Sequence, residues 1–281
     1  MNQTTPPVIE KSKNNELRQR VIYSFLLMGS SLAAAIMGGF LWALASSIVS
    51  AIIAFEWSML TGVSKRARNI TTAIAMVCGF AFVIGQTGIE VLSCVVYIAA
   101  LMFVGWRGKL LGAIAGAYFA ICAFALASLR MDDANGLLYI FGLFSVVWAT
   151  DSSAYAFGRL LKGPKLFPVV SPNKTWSGFI GGIVTGIAAA ALYSVLANIF
   201  LNPGNLFKTI GNWSMVGLVL SLATQIGDLI ESMIKRYFGV KDTSKLIPGH
   251  GGLLDRMDGH LSAGLVFSII LSIPLVAALL K

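Results

Sequence analysis

The chain has 281 residues, of which 57% are apolar and only 12% are charged, and its formal net charge is +9. This composition excludes an ordinary soluble domain and indicates an integral membrane protein. We expect no nucleic-acid partner, because membrane topology and anionic lipid headgroups account for the positive charge. Cys78, Cys94 and Cys122 stand singly in apolar segments, so we expect neither a disulfide nor a zinc site.

Long apolar runs predict an all-α, polytopic membrane protein, because a bilayer-spanning helix requires about 20 largely apolar residues. About nine spans are predicted, at 21–37, 39–60, 69–84, 88–105, 109–129, 137–155, 177–200, 212–231 and 260–280. Residues 1–20 are predicted to form a loose, polar cytoplasmic tail, and 21–130 the N-terminal membrane helices. Residues 131–281 are predicted to form a C-terminal membrane region carrying the catalytic site, with cytoplasmic loops at 156–176 and 232–259.

The positions of Lys and Arg test this count of helices. With a cytoplasmic N-terminus, all 21 of these residues except Arg130, Lys208 and Lys281 fall on the cytoplasmic side. Basic residues concentrate on that side of membrane proteins. The sequence therefore predicts a cytoplasmic N-terminus.

Two acidic residues stand out in the first five predicted helices. Glu56 lies near the cytoplasmic end of the second helix, where Lys65 or Arg66 would reach it, and Glu90 lies at an outer edge. Acidic residues in membrane segments are functional candidates. Because both lie near a membrane boundary, we favour a structural role for each.

Gly112 and Gly116 have the GxxxG spacing on the fifth predicted helix. Small residues four positions apart let two membrane helices approach closely. Packing within the chain explains this pair adequately, and such a face would also permit a homodimer.

The sixth predicted helix carries Asp151, which shares one helical face with Ala154, Tyr155 and Gly158. Asp151 is still within the span, so it should face the interior of the bundle. Prolines at 164 and 168 prevent the helix from continuing. Residues 156–176 are therefore predicted to form an ordered loop or a re-entrant segment.

The next helix is predicted to open with a polar stretch, Ser171, Pro172, Asn173, Lys174 and Thr175. The free N–H groups at a helix N-terminus favour a bound phosphate. Ser171 or Thr175 acting as a simple helix cap is the alternative, and this stretch alone favours it.

The most informative stretch runs from residue 222 to 258. It mixes acids with bases: Asp228, Glu231, Lys235, Arg236, Lys241, Asp242, Lys245, Asp255, Arg256 and Asp258. Helical spacing puts Asp228, Glu231 or Ser232, and Lys235 on one face. Carboxylates suit Mg²⁺, Lys and Arg suit phosphate, and glycines let backbone N–H groups approach. Composition alone fits a solvated cytoplasmic loop equally well.

The order of residues here resembles the C-terminal signature of the CDP-diacylglycerol synthases, also called phosphatidate cytidylyltransferases. The signature positions are filled by Ser232, Lys235, Arg236, Lys241, Asp242, Ser244, Pro248, His250, Gly251, Gly252, Asp255, Arg256 and Asp258. The D-x-x-A-Y-x-x-G and S-P-x-K-T elements of the same family match at 151–158 and 171–175. The chain departs from the pattern at Ser177, where many members have Glu.

The resemblance implies transfer of the cytidylyl group of CTP to phosphatidate, giving CDP-diacylglycerol and pyrophosphate. It implies a bacterial inner-membrane enzyme with its site facing the cytoplasm, and CTP, phosphatidate and membrane lipids as partners. Asp228 and Asp255 would ligate Mg²⁺, with a second cation allowed beside it. The catalytic set would be Asp228, Asp255, Lys235, Arg236, Lys241 and Arg256, whose bases bind the triphosphate.

Other residues would complete the substrate pocket under the same resemblance. They are Asp151, Ser171, Pro172, Asn173, Lys174, Thr175, Ser232, Asp242, His250, Gly251, Gly252 and Asp258. His250 fits a ligand or proton shuttle and fits a turn-stabilising hydrogen bond equally well.

Two other functions stay open at this point. A CTP-dependent lipid kinase of the polyprenol or dolichol type would transfer the γ-phosphate and would need a base. An ion-coupled transporter would use Asp151, Glu90 and Glu56 as an ion path, and predicts repeated halves, which the sequence does not display convincingly.

Overall fold

The computed structural model describes residues 10–85, 87–132, 134–200, 206–247, 251–274, 278 and 280. Nine segments of this described chain form α-helices, which confirms the all-α class. They are α1 (Glu10–Met37), α2 (Gly39–Leu60), α3 (Lys65–Ile84), α4 (Thr87–Gly105), α5 (Lys109–Ser128), α6 (Gly136–Leu160), α7 (Trp176–Phe200), α8 (Leu206–Tyr237) and α9 (Leu254–Leu271). Two short strands, β1 (Lys165–Phe167) and β2 (Ser171–Thr175), lie between α6 and α7.

Several of these helices are long and apolar enough to cross a membrane, so the chain is an integral membrane protein. The described residues contain six such segments: Gly39–Leu60, Lys65–Ile84, Gly88–Ser128, Gly136–Leu160, Trp176–Phe200 and Thr209–Tyr237. The segment Gly88–Ser128 covers both α4 and α5. The chain reverses between these two helices at Lys109, whose φ is 56°. Helix α1 adds the shorter apolar stretch Ile22–Met37. Nine membrane crossings remain a prediction.

Several helices extend beyond their predicted spans by four or more residues. Helix α3 begins at Lys65, and α9 begins at Leu254, inside the loop predicted at 232–259, and ends at Leu271, before the predicted end at residue 280. Helix α1 starts at Glu10, inside the segment predicted to form a loose tail. Residues 10–28 contain neither Gly nor Pro and include Glu, Lys, Arg and Gln, which form helices readily, so the apolar helix continues towards the N-terminus. Helices α6 and α8 likewise run on to Leu160 and Tyr237. Helix α8 therefore carries Asp228 and Lys235 on one rigid element.

Buried aromatic donors join α2 to α4 and α5. The Trp57 Nε1–H donates to the Leu101 carbonyl at 3.1 Å, and the Tyr97 hydroxyl donates to the Ser50 carbonyl at 2.9 Å. The Trp42 Nε1–H reaches the carbonyl of Ala127 on α5 at 2.9 Å. In an apolar interior an unpaired donor costs several kcal/mol, so these bonds fix how the N-terminal helices pack.

The GxxxG pair lies inside the protomer, between α4 and α5. A Cβ at Gly116 would collide with the backbone carbonyl of Leu101 and lie 2.9 Å from Trp57 Nε1. A Cβ at Gly112 would collide with the carbonyl of Gly105. Close helix packing within the chain thus uses this face, and a homodimer would need a different surface.

Helix α7 is held between α6 and α8 by a stripe of glycines. A Cβ at Gly178 would lie 2.6 Å from the Ala154 carbonyl, and one at Gly182 would lie 3.2 Å from the Thr150 carbonyl. The Thr150 hydroxyl also donates to Ser221 Oγ on α8 at 3.0 Å. These close approaches bring the C-terminal parts of α6 and α8, with Asp151 and Asp228, towards one place.

The polar stretch before α7 forms a strand, which corrects the prediction that it opens the helix. Strands β1 and β2 pair antiparallel, with Lys165 opposite Thr175 and Phe167 opposite Ser171. Pro172 explains the difference, because the residue before a proline avoids the α conformation. Thr175 nevertheless caps α7 as predicted, since its Oγ1 accepts from the Gly178 N–H at 3.2 Å.

Candidate active site

Four polar side chains of α8, those of Asp228, Glu231, Ser232 and Lys235, project from neighbouring turns. Ser232 Oγ donates to Asp228 Oδ1 at 3.3 Å, and Lys235 Nζ lies 2.6 Å from Glu231 Oε2. Glu231 is buried, with 1% of its surface exposed, whereas the Asp228 side chain is 39% exposed. The predicted polar face of α8 is confirmed, and Glu231 forms its buried part.

Lys174 on β2 brings the hairpin to this face. Its Nζ lies 2.8 Å from Asp228 Oδ2 and donates to the Gln225 carbonyl at 3.3 Å. A lysine from the segment predicted to bind substrate is therefore an ion-pair partner of a predicted metal ligand. Sequence alone offers no signal for this pairing, because the two residues are 54 positions apart.

Asp255, on the first turn of α9, accepts hydrogen bonds from four donor atoms. Lys235 Nζ lies 2.8 Å from its Oδ1. Its Oδ2 accepts from the Gly252 N–H at 2.8 Å, the Thr243 N–H at 3.0 Å and the Thr243 hydroxyl at 3.1 Å. Burial raises the pKa of Asp255, but the hydrogen bonds from Lys235, Gly252 and Thr243 outweigh it and hold the pKa below its usual value.

The described parts of the loop between α8 and α9, residues 238–247 and 251–253, lie around this carboxylate. The Ile247 N–H donates to the Gly251 carbonyl at 2.8 Å, and Gly251 has a φ of +84°, which favours glycine. A Cβ at Gly251 would lie 2.7 Å from Asp255 Oδ2. His250, with Pro248 and Gly249, lies outside the described residues.

Two further acids complete the cluster. Asp151 on α6 and Asp258 on α9 both interact electrostatically with Asp228, and Asp258 also interacts with Glu231. Carboxylates brought together at a membrane boundary are costly unless cations neutralise them. Lys174 pairs with Asp228 and Lys235 pairs with Asp255, and the positive charge of Arg256 attracts the Asp151 carboxylate.

A single cavity of about 1450 Å³ joins this cluster to an apolar region. Its charged end includes Asp151, Lys174, Asp228 and Arg256, and its apolar wall includes side chains of α1, α2 and α6 such as Met28, Trp42 and Trp148. Pockets for single small molecules usually have volumes of about 300–1000 Å³. The space therefore suits a larger ligand with charged and apolar parts.

The family comparison agrees with this chemistry. Residues 18–274 match the model of the cytidylyltransferase family. The chain belongs to the cytidylyltransferase family. Relatives named phosphatidate cytidylyltransferase include one from Brucella abortus, 36% identical over 255 residues covering 89% of this chain and 91% of the relative. One from Staphylococcus epidermidis is 46% identical over 45% of this chain and 46% of the relative, and one from Bacillus subtilis is 40% identical over 53% and 52%.

Four other residues that the family resemblance selected line the same cavity, namely Asn173, Thr175, Asp242 and Arg256. Lys241, Asp242 and Arg256 are exposed, and Asp242 and Arg256 line the cavity. Pro172 and Asn173 are exposed on β2, Ser171 is half-buried and Thr175 is buried. Arg236 also makes structural contacts, because its Nε donates to the Val170 carbonyl at 3.3 Å and its Nη1 to the Val240 carbonyl at 3.0 Å. Arg236 thus ties the hairpin to α8.

The departure of this cytidylyltransferase-family chain at Ser177 has a structural account. Ser177 Oγ donates to the Lys162 carbonyl and lies 3.0 Å from Thr175 Oγ1. The residue therefore closes the base of the hairpin. A hydroxyl suffices for these contacts, so position 177 needs no carboxylate to hold the hairpin.

Glu56 makes the structural contacts expected of it, but with partners other than Lys65 or Arg66. It is fully buried and accepts hydrogen bonds from Thr243, Ser244, Leu253 and Leu254. No local pattern links α2 to the α8–α9 loop. The only sequence signal was an acid in an apolar helix.

Proposed function

We infer that this protein transfers the cytidylyl group of CTP to phosphatidate, making CDP-diacylglycerol and pyrophosphate for phospholipid biosynthesis. The observation that carries this conclusion is the cavity that joins a cluster of acids and bases to an apolar wall. Such a cavity suits a nucleotide together with a lipid phosphate. Relatives aligned over about nine-tenths of the chain have the name of this activity.

The reaction makes one phosphorus–oxygen bond and breaks another. A phosphate oxygen of phosphatidate attacks the α-phosphorus of CTP, and the bond from that phosphorus to the bridging oxygen breaks. The electron pair of the broken bond leaves with pyrophosphate. Because the lipid phosphate is already anionic, catalysis depends on positioning and on charge neutralisation, and no strong base is needed.

We assign the cationic residues to the phosphates. Lys235, Lys241 and Arg256 would neutralise the triphosphate and the leaving pyrophosphate, and Lys174 with the 171–173 turn would complete the pocket. Arg236 would add its charge while it braces the hairpin. The Lys235 ammonium is held between Glu231 and Asp255, at 2.6 and 2.8 Å, and is therefore already oriented.

Mg²⁺ suits the carboxylate oxygens of this cluster, because it binds oxygen ligands. No group of three or more His, Cys, Asp or Glu residues in the described chain converges as a complete metal cage. Mg²⁺ does not require one, because it keeps several waters and binds through one or two carboxylates and substrate phosphates. Asp228 and Asp255 would hold it, and Asp151 and Asp258 would favour a second cation nearby. The ion would supply charge neutralisation at the phosphates.

We place the site on the cytoplasmic face of a bacterial inner membrane, in a protein with nine crossings and a cytoplasmic N-terminus. The distribution of Lys and Arg supports this orientation. The phosphatidate headgroup would then enter from the inner leaflet, and its acyl chains would follow the apolar wall of the cavity. A homodimer would use a face other than the one that carries Gly112 and Gly116.

Labelled CTP tests the reaction. Purified protein is given phosphatidate, Mg²⁺ and CTP labelled at either the α- or the γ-phosphate, and lipid products are separated. We expect the α-label in the lipid and the γ-label in pyrophosphate. A γ-label in the lipid would identify a CTP-dependent kinase and refute cytidylyl transfer.

A further inference from the structure

Glu56 is a buried carboxylate that reaches across the protein. It lies on α2 with 0% of its surface exposed. Its Oε1 accepts from Ser244 Oγ at 2.7 Å and the Leu253 N–H at 2.9 Å, and its Oε2 accepts from the Leu254 N–H at 2.8 Å and Thr243 Oγ1 at 3.3 Å. Both oxygens therefore accept hydrogen bonds from the two described ends of one loop, residues 243–247 and 251–254.

Two of these donors belong to the start of α9. The first N–H groups of a helix have no partner within the helix and usually receive one from a capping side chain. Leu253, at the capping position of α9, makes no such bond with its own side chain. Glu56 supplies the acceptor from another helix, and its negative charge suits the positive end of the helix dipole.

Thr243 connects Glu56 to the proposed cation site. Its hydroxyl contacts Glu56 Oε2 at 3.3 Å and Asp255 Oδ2 at 3.1 Å, and its N–H also donates to Asp255. Residue 252 fits between Thr243 and Glu56 only as glycine, because a Cβ there would collide with Thr243 Oγ1 and lie 2.6 Å from Glu56 Oε1. Glu56 and Asp255 thus hold the α8–α9 loop from two sides.

We propose that Glu56 is a positioning residue for catalysis, which holds residues 243–247 and 251–254 so that Asp255 and Lys235 stay paired at the cavity that Asp228 also lines. The inference rests on the proposed role of this loop in binding CTP and a cation. Glu56 touches no substrate in this scheme and acts through Thr243 and the first turn of α9. Its loss should loosen the loop and slow the chemical step more than it weakens CTP binding.

The test combines Glu56→Gln with two readouts on purified protein in lipid nanodiscs. Hydrogen exchange of peptides covering 243–247 and 251–257 is measured without substrate, and kcat and KM for CTP are measured with phosphatidate and Mg²⁺. Gln keeps the size of the side chain but turns one acceptor into a donor. We expect exchange in these peptides to quicken by at least about tenfold and kcat to fall about 10- to 100-fold, with a smaller change in KM.

Glu90→Gln is the matched control, because it makes the same change at an acid in the first turn of α4. None of the hydrogen bonds described above for residues 243–247 and 251–254 involves Glu90. This variant should leave exchange in the loop and kcat unchanged. The loop side is tested by Thr243→Val, which removes the bridging hydroxyl at constant size, and by Thr243→Ser, which keeps it. We expect the Val variant to reproduce the Glu56→Gln effects and the Ser variant to retain normal values; these two variants decide the question if Glu56→Gln does not fold.

Normal loop exchange and normal kcat in Glu56→Gln or Thr243→Val would overturn the inference. Faster exchange in the loop with a normal kcat would also overturn the inference, because Glu56 would then hold the loop without affecting catalysis. Asp255→Asn separates a failure of the proposed function of the loop from a failure of the proposed role of Glu56. If that variant is also fully active, the proposed role of the loop is wrong, whereas an inactive Asp255→Asn beside an active Glu56→Gln refutes the role of Glu56 alone.

Discussion

Asp228 and Asp255 have different surroundings, although the family resemblance gives them one role. Asp228 contacts Lys174 and Ser232 and is 39% exposed, so it faces the cavity. Asp255 is 5% exposed and accepts hydrogen bonds from Thr243 and Gly252 as well as Lys235. A substitution at Asp228 therefore tests ion binding with little effect on the loop, whereas one at Asp255 changes both.

Asp228→Asn should abolish most activity, because a carboxylate that neutralises a cation becomes a neutral amide of the same size. In the proposed cation site Asp228 is a ligand of Mg²⁺, and loss of such a ligand removes several kcal/mol of transition-state stabilisation, so we expect kcat to fall by at least about 100-fold. The measurement is CTP-dependent formation of labelled lipid over a series of Mg²⁺ concentrations. Near-normal activity at low Mg²⁺ would remove Asp228 from the proposed cation site.

Asp132→Asn provides the comparison for Asp228→Asn. Asp132 Oδ1 accepts from the N–H groups of Ala134 and Asn135 in the turn before α6. Asn keeps that acceptor, so the variant loses one carboxylate without losing the turn. Its activity should equal that of the unaltered protein.

At the scale of elements, the sequence predicts where the helices lie, but it does not predict which helices and loops contact one another. Hydropathy located all nine helices of the described chain, because a membrane helix is a local property of about 20 residues. It missed the start of α1 and the strand at 171–175, where propensity and proline decide. The signature motif selected Lys235 and Asp255, which are in contact, but nothing local indicated that Lys174 pairs with Asp228 or that Glu56 holds the loop.

The contact of α4 with α5 leads to a prediction about stability. Gly116→Leu would place a branched side chain against the Leu101 carbonyl and Trp57, and the two helices would have to separate. We expect a loss of roughly 1–3 kcal/mol, as for overpacking elsewhere, with no change of oligomeric state. Thermal unfolding in detergent and light scattering measure the two quantities.

Gly88→Leu serves as the matched variant, since nothing lies within 4 Å of a Cβ built at Gly88. It should leave the midpoint of unfolding nearly unchanged. A change of oligomeric state in Gly116→Leu without loss of stability would show that the glycine face joins two protomers.

On the scale of the whole molecule, the basic residues define one side of the protein. The hairpin with Lys165, the loop with Lys245 and the cluster around Asp228 should all face the cytoplasm, and the turn at Ala134 should face the other side. The Tyr237 hydroxyl donates to the Gly108 carbonyl at 3.0 Å, so the end of α8 and the α4–α5 turn lie on the same side. Arg107 and Lys109, which flank Gly108, fit that assignment.

Single cysteines test this topology. In a chain with Cys78, Cys94 and Cys122 replaced by Ser, we expect Lys165→Cys and Lys245→Cys to react with a membrane-impermeant maleimide only in inside-out vesicles. Ala134→Cys should react only in intact spheroplasts. All three wild-type positions are exposed, so access to water does not limit labelling. Reaction of Lys165→Cys and Ala134→Cys from the same side would refute an odd number of crossings between them.

The partnership of Glu56 with α9 also bears on how the protein is assembled in the cell. Ribosomes make α2 long before the residues that bond to Glu56, which follow it by 187 to 198 positions. Until those residues emerge, the carboxylate has none of these donors and stays costly to bury. The nascent N-terminal helices would then pack around an acid without partners until α9 arrives, so an interrupted translation product would have neither these hydrogen bonds nor a functioning site.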